Sequence, residues 1–301
     1  SSSDISPTGG KMPRLLGLAL ASTLYRQTPQ LRADKFRKFS ISGNEVAFGT
    51  IGDASTSEGL FFETINAAGV LQVPMAISVW DDGYGISVPA KYQTAKENIS
   101  ALMKGFQTNE DGVGLEIFHA KGWDYAGLCT TYKKAAEVCR TKHTPVLVHV
   151  SEVTQPQGHS TSGSHERYKS KERLQWELDF DCLVQMKQWM IEHAIADEKT
   201  IDTIEKDAIE SVKQMQKAAW TDFTKSIKSE IAEFESMAKS MISNGIAAAE
   251  IQSELDGVLQ KMDPIRRDLG NALHNCLKAT VKYSASDRKP LLDLWENFNQ
   301  I

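Results

Sequence analysis

The sequence predicts an α/β protein with a doubly wound, mostly parallel sheet that is followed by a helical C-terminal region. Three observations support this prediction. Residues 1–171 alternate between short apolar runs and helix-period segments, the order expected when strands are joined by crossover helices. Several of the apolar runs are nearly continuous, as in parallel strands that are covered on both faces. From residue 179 to residue 283 the periodicity is almost entirely helical.

Four strands and three helices are predicted in the first 171 residues. The strands cover residues 45–51, 73–80, 114–119 and 146–150, of which the first, second and fourth are nearly continuous apolar runs. The helices cover residues 13–27, 57–71 and 125–140. The strand, helix and strand between residues 45 and 80 form one βαβ unit, so the carboxyl ends of its strands are expected at the same edge of the sheet.

The C-terminal third is predicted to be a set of helices. Apolar residues recur at helical spacing from Ile227 to Met241, and Asn244-Gly245 offers a helix stop. A second stripe begins at Ile251, and Asp263-Pro264 is predicted to open a further helix that runs to about residue 281. The stripes would either close a local helical bundle or pack on another half of a longer protein, and the pattern alone leaves both possibilities open.

The bulk composition limits the classes of partner. The chain has 301 residues, 41% of them hydrophobic and 24% charged, and a net charge of −5. This negative balance argues against nucleic acid or an anionic membrane surface as the main partner. No apolar run approaches the length of about 18 residues that suggests a membrane span. The four cysteines lack paired spacing, which favours free thiols in a reducing compartment, either the cytoplasm or a mitochondrial matrix.

Two aspartates stand where strands of the βαβ unit end. Asp53 follows the first strand and Asp82 follows the second. Carboxylates at the carboxyl edge of a parallel sheet, together with the backbone carbonyl of Tyr84, suit a hard divalent cation such as Mg²⁺, which usually also binds a phosphate. The alternative is that both are ordinary turn residues, because turns favour Asp and Gly. Composition and periodicity do not separate these readings.

The full string from residue 52 to residue 87 carries a resemblance to a known family. It reads GDASTSEGLFFETINAAGVLQVPMAISVWDDGYGIS. The string resembles the thiamine-diphosphate motif in alpha subunits of the decarboxylating component of 2-oxoacid dehydrogenases. The segment 6–17, the apolar strand 145–150 and the Gly-His-Ser-Thr-Ser loop at 158–162 resemble further family segments in the correct order. The Thr within that loop and the Ser-Glu-Gly at 57–59 lean toward branched-chain (2-oxoisovalerate) members.

The resemblance implies a function and a set of site residues. The function is thiamine-diphosphate- and Mg²⁺-dependent oxidative decarboxylation of a 2-oxoacid, either a branched-chain 2-oxoacid or pyruvate, with acyl transfer to lipoamide. His159 is the implied catalytic residue, and Asp53, Asp82 and Tyr84 are the implied metal ligands. The implied cofactor-binding residues are Ser6, Thr8, Gly52, Asp53, Ala54, Ser55, Asp82, Tyr84, Ile86 and His159.

The resemblance also implies partners and a division of the chain. The implied partners are a beta-type pyrimidine-binding half, separate or fused, and the lipoyl domain of the acyltransferase component. Residues 1–171 would form an N-terminally truncated diphosphate-binding domain, residues 172–225 its helical tail, and residues 226–301 an extension or linker toward a beta-like half. Without that half the chain is expected to be inactive.

Three departures from the family pattern affect the expected cofactor affinity. Asp82 replaces the family's metal-binding Asn, and Ala54 replaces a Gly. The residues 154–157 replace a Tyr-Arg pair, which removes a cation that would offset the added carboxylate. Two alternatives therefore stay open: an acetoin-dehydrogenase-like or transketolase-like thiamine enzyme, and a catalytically silent subunit that assembles a complex.

Overall fold

The computed structural model describes residues 8–159 and 165–300. In chain order its elements are α1 (Met12–Gln27), β1 (Ala47–Gly52), α2 (Gly59–Leu71), β2 (Met75–Trp80), β3 (Tyr84–Gly85), β4 (Val88–Pro89), α3 (Ile99–Met103), β5 (Glu116–Lys121), α4 (Tyr125–Lys142), β6 (Val146–Ser151), α5 (Lys171–Asp179), α6 (Cys182–Glu192), α7 (Glu198–Ser243), α8 (Ala248–Leu259), α9 (Arg266–Ala279) and α10 (Ala285–Asn299). None of these helices is both long enough and apolar enough to cross a bilayer.

The main sheet has four parallel strands in the order β1-β2-β6-β5. β1 and β2 pair in register to their last residues, so that Gly52 lies opposite Trp80. The short strands β3 and β4 form a separate antiparallel pair. The predicted α/β class, the mostly parallel sheet and the helical C-terminal region are confirmed.

Helices cover both faces of the main sheet. On β6, Leu147 packs into a core that includes buried residues of α1 and α2. The alternating residues Val146, Val148 and Val150 belong to a second core that includes buried residues of α4. Because successive side chains of a strand point to opposite faces, the two cores lie on opposite sides of the sheet. This arrangement explains why β6 is so apolar: its valines and its leucine are each buried in one core or the other.

Predicted element boundaries differ from the observed ones at a close backbone approach and at a helix cap. The strand predicted at 114–119 begins at Glu116, after Gly114 at φ +130°. A Cβ on Gly114 would lie 2.8 Å from backbone atoms of residues 106–108, so the chain passes too closely there for a side chain. The predicted helix start at Asp263-Pro264 was wrong. Helix α9 begins at Arg266, where the Asp268 carboxylate accepts a hydrogen bond (3.0 Å) from the Ile265 N–H.

The chain divides into two compact units between Ile201 and Asp202, within α7. In the second unit the predicted stripe contributes Ile231, Phe234 and Met241 to a core with buried residues of α8 and α9. The stripe therefore helps to close a local helical bundle, as one of the two interpretations proposed. The domain limits at residues 171 and 225, and the role of residues 226–301 as a linker, stay predictions.

Candidate active site

The two predicted aspartates lie at the same edge of the sheet. The backbone N–H of Asp53 donates to the Trp80 carbonyl (3.0 Å), which extends the β1–β2 ladder one residue beyond the last pair. The N–H of Asp81 donates in the same way to the Val150 carbonyl (2.9 Å), which extends the β2–β6 ladder. As a result the residues that follow β1 and β2 stay beside one another, where parallel sheets bind their ligands.

A tight turn connects β1 to α2. Residues Ala54–Ser57 form a single 3₁₀ turn, and the Thr56 N–H and hydroxyl both donate to the Asp53 carbonyl. Helix α2 therefore begins at Gly59 rather than at the predicted residue 57. The Glu58 carboxylate accepts a hydrogen bond (2.9 Å) from the Gly9 N–H, which ties the segment that contains Thr8 to the same edge.

The turn after β2 is stabilised by its own carboxylates. Asp81 accepts from the Gly83 N–H (2.9 Å), and Asp82 accepts from the Tyr84 N–H (3.0 Å). A Cβ on Gly85 would lie 2.8 Å from the Ala54 Cβ and within 2.6 Å of the Gln93 amide. Glycine at this position therefore lets the β2 turn approach the turn after β1.

A cavity of about 560 Å³ lies between these turns. Every predicted cofactor-binding residue lines it except Ser6, which is outside the described residues. The lining residues are Thr8, Thr50, Ile51, Gly52, Asp53, Ala54, Ser55, Trp80, Asp82, Tyr84, Gly85, Ile86, Val153, Gln155 and His159. The described residues contain no group of three His, Cys, Asp or Glu side chains that could hold a metal on its own. A cation bound in this cavity would therefore need further oxygen ligands besides the aspartates, for example from the backbone or from a phosphate.

The cavity edge concentrates negative charge. Asp53 is only 6% exposed, and burial, followed by the charges of Asp81 and Asp82, raises its pKa to about 7. Burial also raises the pKa of Asp82 above its ordinary value, although the Tyr84 N–H and two nearby cations, Lys169 and Arg173, oppose the change. Carboxylates that resist ionisation together are stabilised when a cation joins them.

A buried histidine orients the middle carboxylate, and the sequence reasoning missed this contact. His149, on β6, is 0% exposed, and its Nε2 lies 2.8 Å from Asp81 Oδ2. Its Nδ1 lies 2.8 Å from the Ser100 hydroxyl, so both ring nitrogens have partners. Burial raises the pKa of Asp81, but the hydrogen bond and charge interaction with His149 outweigh burial and leave that pKa below its ordinary value. His149 is therefore both a buried residue of β6 and a support for the Asp81 carboxylate at the site.

His159 lies at the rim of the cavity. Its side chain is exposed, and it follows Gly158, which has φ +74°. The backbone N–H of Gly158 donates to the Gln155 carbonyl (2.9 Å), which closes a tight turn before the histidine. An exposed imidazole at the mouth of a cavity can exchange protons with a group inside the cavity and with a partner outside it. Residues 160–164 of the predicted His-Ser-Thr-Ser loop lie outside the described residues.

The contribution of Asp53 to the stability of the metal-free protein is expected to fall as the pH rises from about 4 to about 7. The folded-state pKa of Asp53, about 7, lies above its ordinary value of 3.8. Between these two pH values the folded protein keeps a proton that the unfolded chain has lost, so this contribution to folding becomes less favourable as the pH rises. Thermal unfolding in chelator should show the melting temperature of the unmutated protein falling relative to Asp53→Asn across the window. A pH-independent difference between the two proteins would contradict the expectation.

The family model described as dehydrogenase E1 component matches residues 5–228, well over half of the chain. The chain belongs to the dehydrogenase E1 component family. This assignment confirms the resemblance to an alpha subunit of a 2-oxoacid dehydrogenase. All residues that line the candidate cavity lie within the part of the chain that matches the family model.

Curated relatives include both pyruvate and branched-chain enzymes. The pyruvate dehydrogenase E1 component subunit alpha of Rickettsia typhi is 24% identical over 170 residues, which are 56% of this chain and 49% of that protein. The 2-oxoisovalerate dehydrogenase subunit alpha of Bacillus subtilis is 25% identical over 200 residues, 66% of this chain and 53% of that protein. The mitochondrial 2-oxoisovalerate dehydrogenase subunit alpha 1 of Arabidopsis thaliana is 24% identical over 208 residues, 68% and 42% of the two chains. The chain spans about half the length of the curated relatives it matches.

Proposed function

We propose that this chain supplies the half of a thiamine-diphosphate-dependent 2-oxoacid dehydrogenase active site that holds the diphosphate and its Mg²⁺. The observation that carries the proposal is the cavity at the carboxyl edge of β1 and β2, which is lined by Asp53, Asp82 and Tyr84. Family membership supports the reaction class. The proposed reaction is the oxidative decarboxylation of a 2-oxoacid with acyl transfer to lipoamide.

The residues around the cavity fit a cation that is bound to a diphosphate. Asp53 and Asp82 offer hard oxygen ligands. Burial, followed by the charges of Asp81 and Asp82, raises the pKa of Asp53, and a divalent cation between the carboxylates would favour its ionised form. Among the described residues that line the cavity, none is Lys or Arg. A bare diphosphate would therefore meet a negatively charged edge, so the cation is expected to be obligatory.

Each residue would have a distinct task. Thiamine diphosphate, when bound, supplies the carbanion and the electron sink that decarboxylation needs. Asp53, Asp82 and the Tyr84 carbonyl would hold the cation, and the segment around Thr8 would close the cavity. His159 would move a proton during acyl transfer at the mouth of the site. A beta-type half would supply the pyrimidine-binding residues, and a lipoyl domain of the acyltransferase component would reach the mouth near His159.

The proposed substrate is a branched-chain 2-oxoacid or pyruvate. Relatives of both kinds match the chain at 24–25% identity, so their names do not separate the two. The Thr within the His-Ser-Thr-Ser loop leans toward branched-chain members. The compartment proposed for the reaction is the cytoplasm or a mitochondrial matrix, and one of the relatives is named as mitochondrial.

One observation favours a second candidate, a catalytically silent subunit that assembles a complex. The cavity edge carries the added carboxylate of Asp82, and no Lys or Arg is among the described lining residues. A silent subunit would keep the fold without binding the cofactor. An acetoin-dehydrogenase-like enzyme is an alternative to the 2-oxoacid dehydrogenase, because such an enzyme would use the same cavity.

Calorimetry tests the proposed cofactor site. With its partner half, the protein is expected to bind thiamine diphosphate in Mg²⁺ and to lose that binding in chelator, because only the cation offsets the carboxylates at the cavity edge. Thiamine without phosphate is the matched control ligand, since it lacks the diphosphate. Equal affinity with Mg²⁺ and with chelator would contradict the proposed metal ligands, and no binding under either condition would favour the silent subunit.

A further inference from the structure

A buried ion-pair cluster lies against the turn that follows β2. Lys169 is 5% exposed and Glu177 is 0% exposed. The Lys169 ammonium donates to both carboxylate oxygens of Glu177, at 2.7 and 2.9 Å, and the Nε of Arg173 donates to one of them at 2.8 Å. Two cations thus share one carboxylate, so the cluster keeps one net positive charge, with Lys169 and Glu177 buried and the Arg173 side chain 28% exposed.

Both cations contact the residues that are proposed to hold the metal. A guanidinium nitrogen of Arg173 donates to the Asp82 backbone carbonyl at 2.7 Å. The guanidinium carbon lies 5.4 Å from the centre of the Tyr84 ring, and the Lys169 ammonium lies 5.1 Å from the same centre. Cations at these distances are attracted to an aromatic ring, which fixes the Tyr84 side chain. Asp82 and Tyr84 are therefore positioned by Arg173 on α5 and by Lys169, two residues before that helix.

The charge of this cluster complements the cavity edge. Asp53, Asp81 and Asp82 place three carboxylates at that edge, and His149 hydrogen-bonds one of them. Arg173 and Lys169 bring positive charge to the same turn from a different part of the chain. A cation that is buried beside a carboxylate is weakly screened, so its effect on the site persists in salt.

We propose that Arg173 and Lys169, held together by Glu177, are positioning residues for the cofactor site. They offset the negative charge that Asp82 adds to the cavity edge and fix the backbone of that residue, so that the cavity accepts a cation–diphosphate pair. This inference rests on the proposed function. A purely structural ion pair would instead stabilise α5 without any dependence on the charge at residue 82.

A double-mutant cycle separates the two roles. Arg173→Gln is made in the native protein and in an Asp82→Asn background, and thiamine diphosphate binding with Mg²⁺ is measured by calorimetry on the complete complex with its partner half. Quenching of Trp80 fluorescence gives a second readout, because Trp80 lines the cavity. We expect a loss of about tenfold in affinity in the native background and of only about threefold in Asp82→Asn, where the charge that Arg173 offsets is absent and only its contact with the backbone carbonyl of residue 82 is lost. Lys171→Gln, an exposed charge removal on the first turn of α5, is the matched control and should change neither affinity.

The remaining variants separate charge from geometry. Arg173→Lys keeps the charge and loses the planar donor geometry, so its affinity should lie between those of the native protein and Arg173→Gln. Equal losses from Arg173→Gln in the two backgrounds, or no loss in either, would overturn the inference while leaving the proposed function intact. An unmutated complex that binds no thiamine diphosphate with Mg²⁺ would overturn the proposed function and this inference together. Circular dichroism of each variant confirms that the protein compared is folded.

Discussion

His159→Ala is expected to lower acylation of lipoamide by at least about a hundredfold. Groups that act as general acids or bases contribute on the order of 10²–10⁴-fold. Because His159 is exposed at the rim of the cavity, its loss should affect the step that involves an outside partner more than the chemistry inside. Decarboxylation that is measured with an artificial electron acceptor should therefore fall much less than lipoamide acylation.

The comparison of the two assays makes this prediction specific. His193→Ala is a suitable control, because His193 is also exposed and lies at the end of α6, away from the cavity lining. The control should leave both assays unchanged. Equal modest losses in both assays for His159→Ala would instead indicate a residue that anchors the diphosphate. Unchanged rates in both would reduce His159 to a surface-loop histidine.

Asp53→Asn is expected to weaken Mg²⁺-dependent binding of thiamine diphosphate by at least about a hundredfold. Changes to residues that only support a metal ligand already cost about 10–100-fold in metal affinity, and Asp53 is proposed to be a ligand itself. The same substitution should stabilise the metal-free protein at about pH 8, because it removes a buried charge that faces Asp81 and Asp82. The expected result is therefore a more stable metal-free protein that binds thiamine diphosphate more weakly.

Calorimetry and thermal unfolding measure the two effects on the same preparations. Asp111→Asn removes a carboxylate from an exposed loop and should change neither quantity. A parallel fall in stability and in affinity would mean that Asp53 mainly supports the fold. Unchanged affinity would remove Asp53 from the set of metal ligands.

Much of the fold and the position of the site followed from local patterns. The apolar runs of β2 and β6 are visible in the sequence because these central strands are buried on both faces. β1 was also predicted to be a covered apolar run, but it is the edge strand and only Ile51 in it is buried. The topology then brings the carboxyl ends of β1 and β2 together, which is why Asp53 and Asp82 could be placed at one edge before any coordinates. The cavity between them contains the predicted residues of the described chain.

Other features depend on contacts between distant segments and leave no local signal. His149 and Asp81 are 68 residues apart, and Arg173 and Asp82 are 91 apart, so neither hydrogen bond is visible from spacing. The sequence pattern suggested that a cation had been lost at residues 154–157. The structure places two cations at the same turn from the start of α5. The 3₁₀ turn that delays α2 to Gly59 is instead a local feature, held by hydrogen bonds from Thr56 to the Asp53 carbonyl.

Anomalous diffraction from Mn²⁺ tests the central claim most directly. Crystals of the complete complex, with its partner half, would be grown with thiamine diphosphate and with Mn²⁺ in place of Mg²⁺. The proposed site predicts one anomalous peak in the cavity, at about 2.1 Å from the carboxylates of Asp53 and Asp82 and from the Tyr84 carbonyl. A bound cofactor whose diphosphate carries no peak at these three oxygens, or a peak that other residues hold, would contradict the claim.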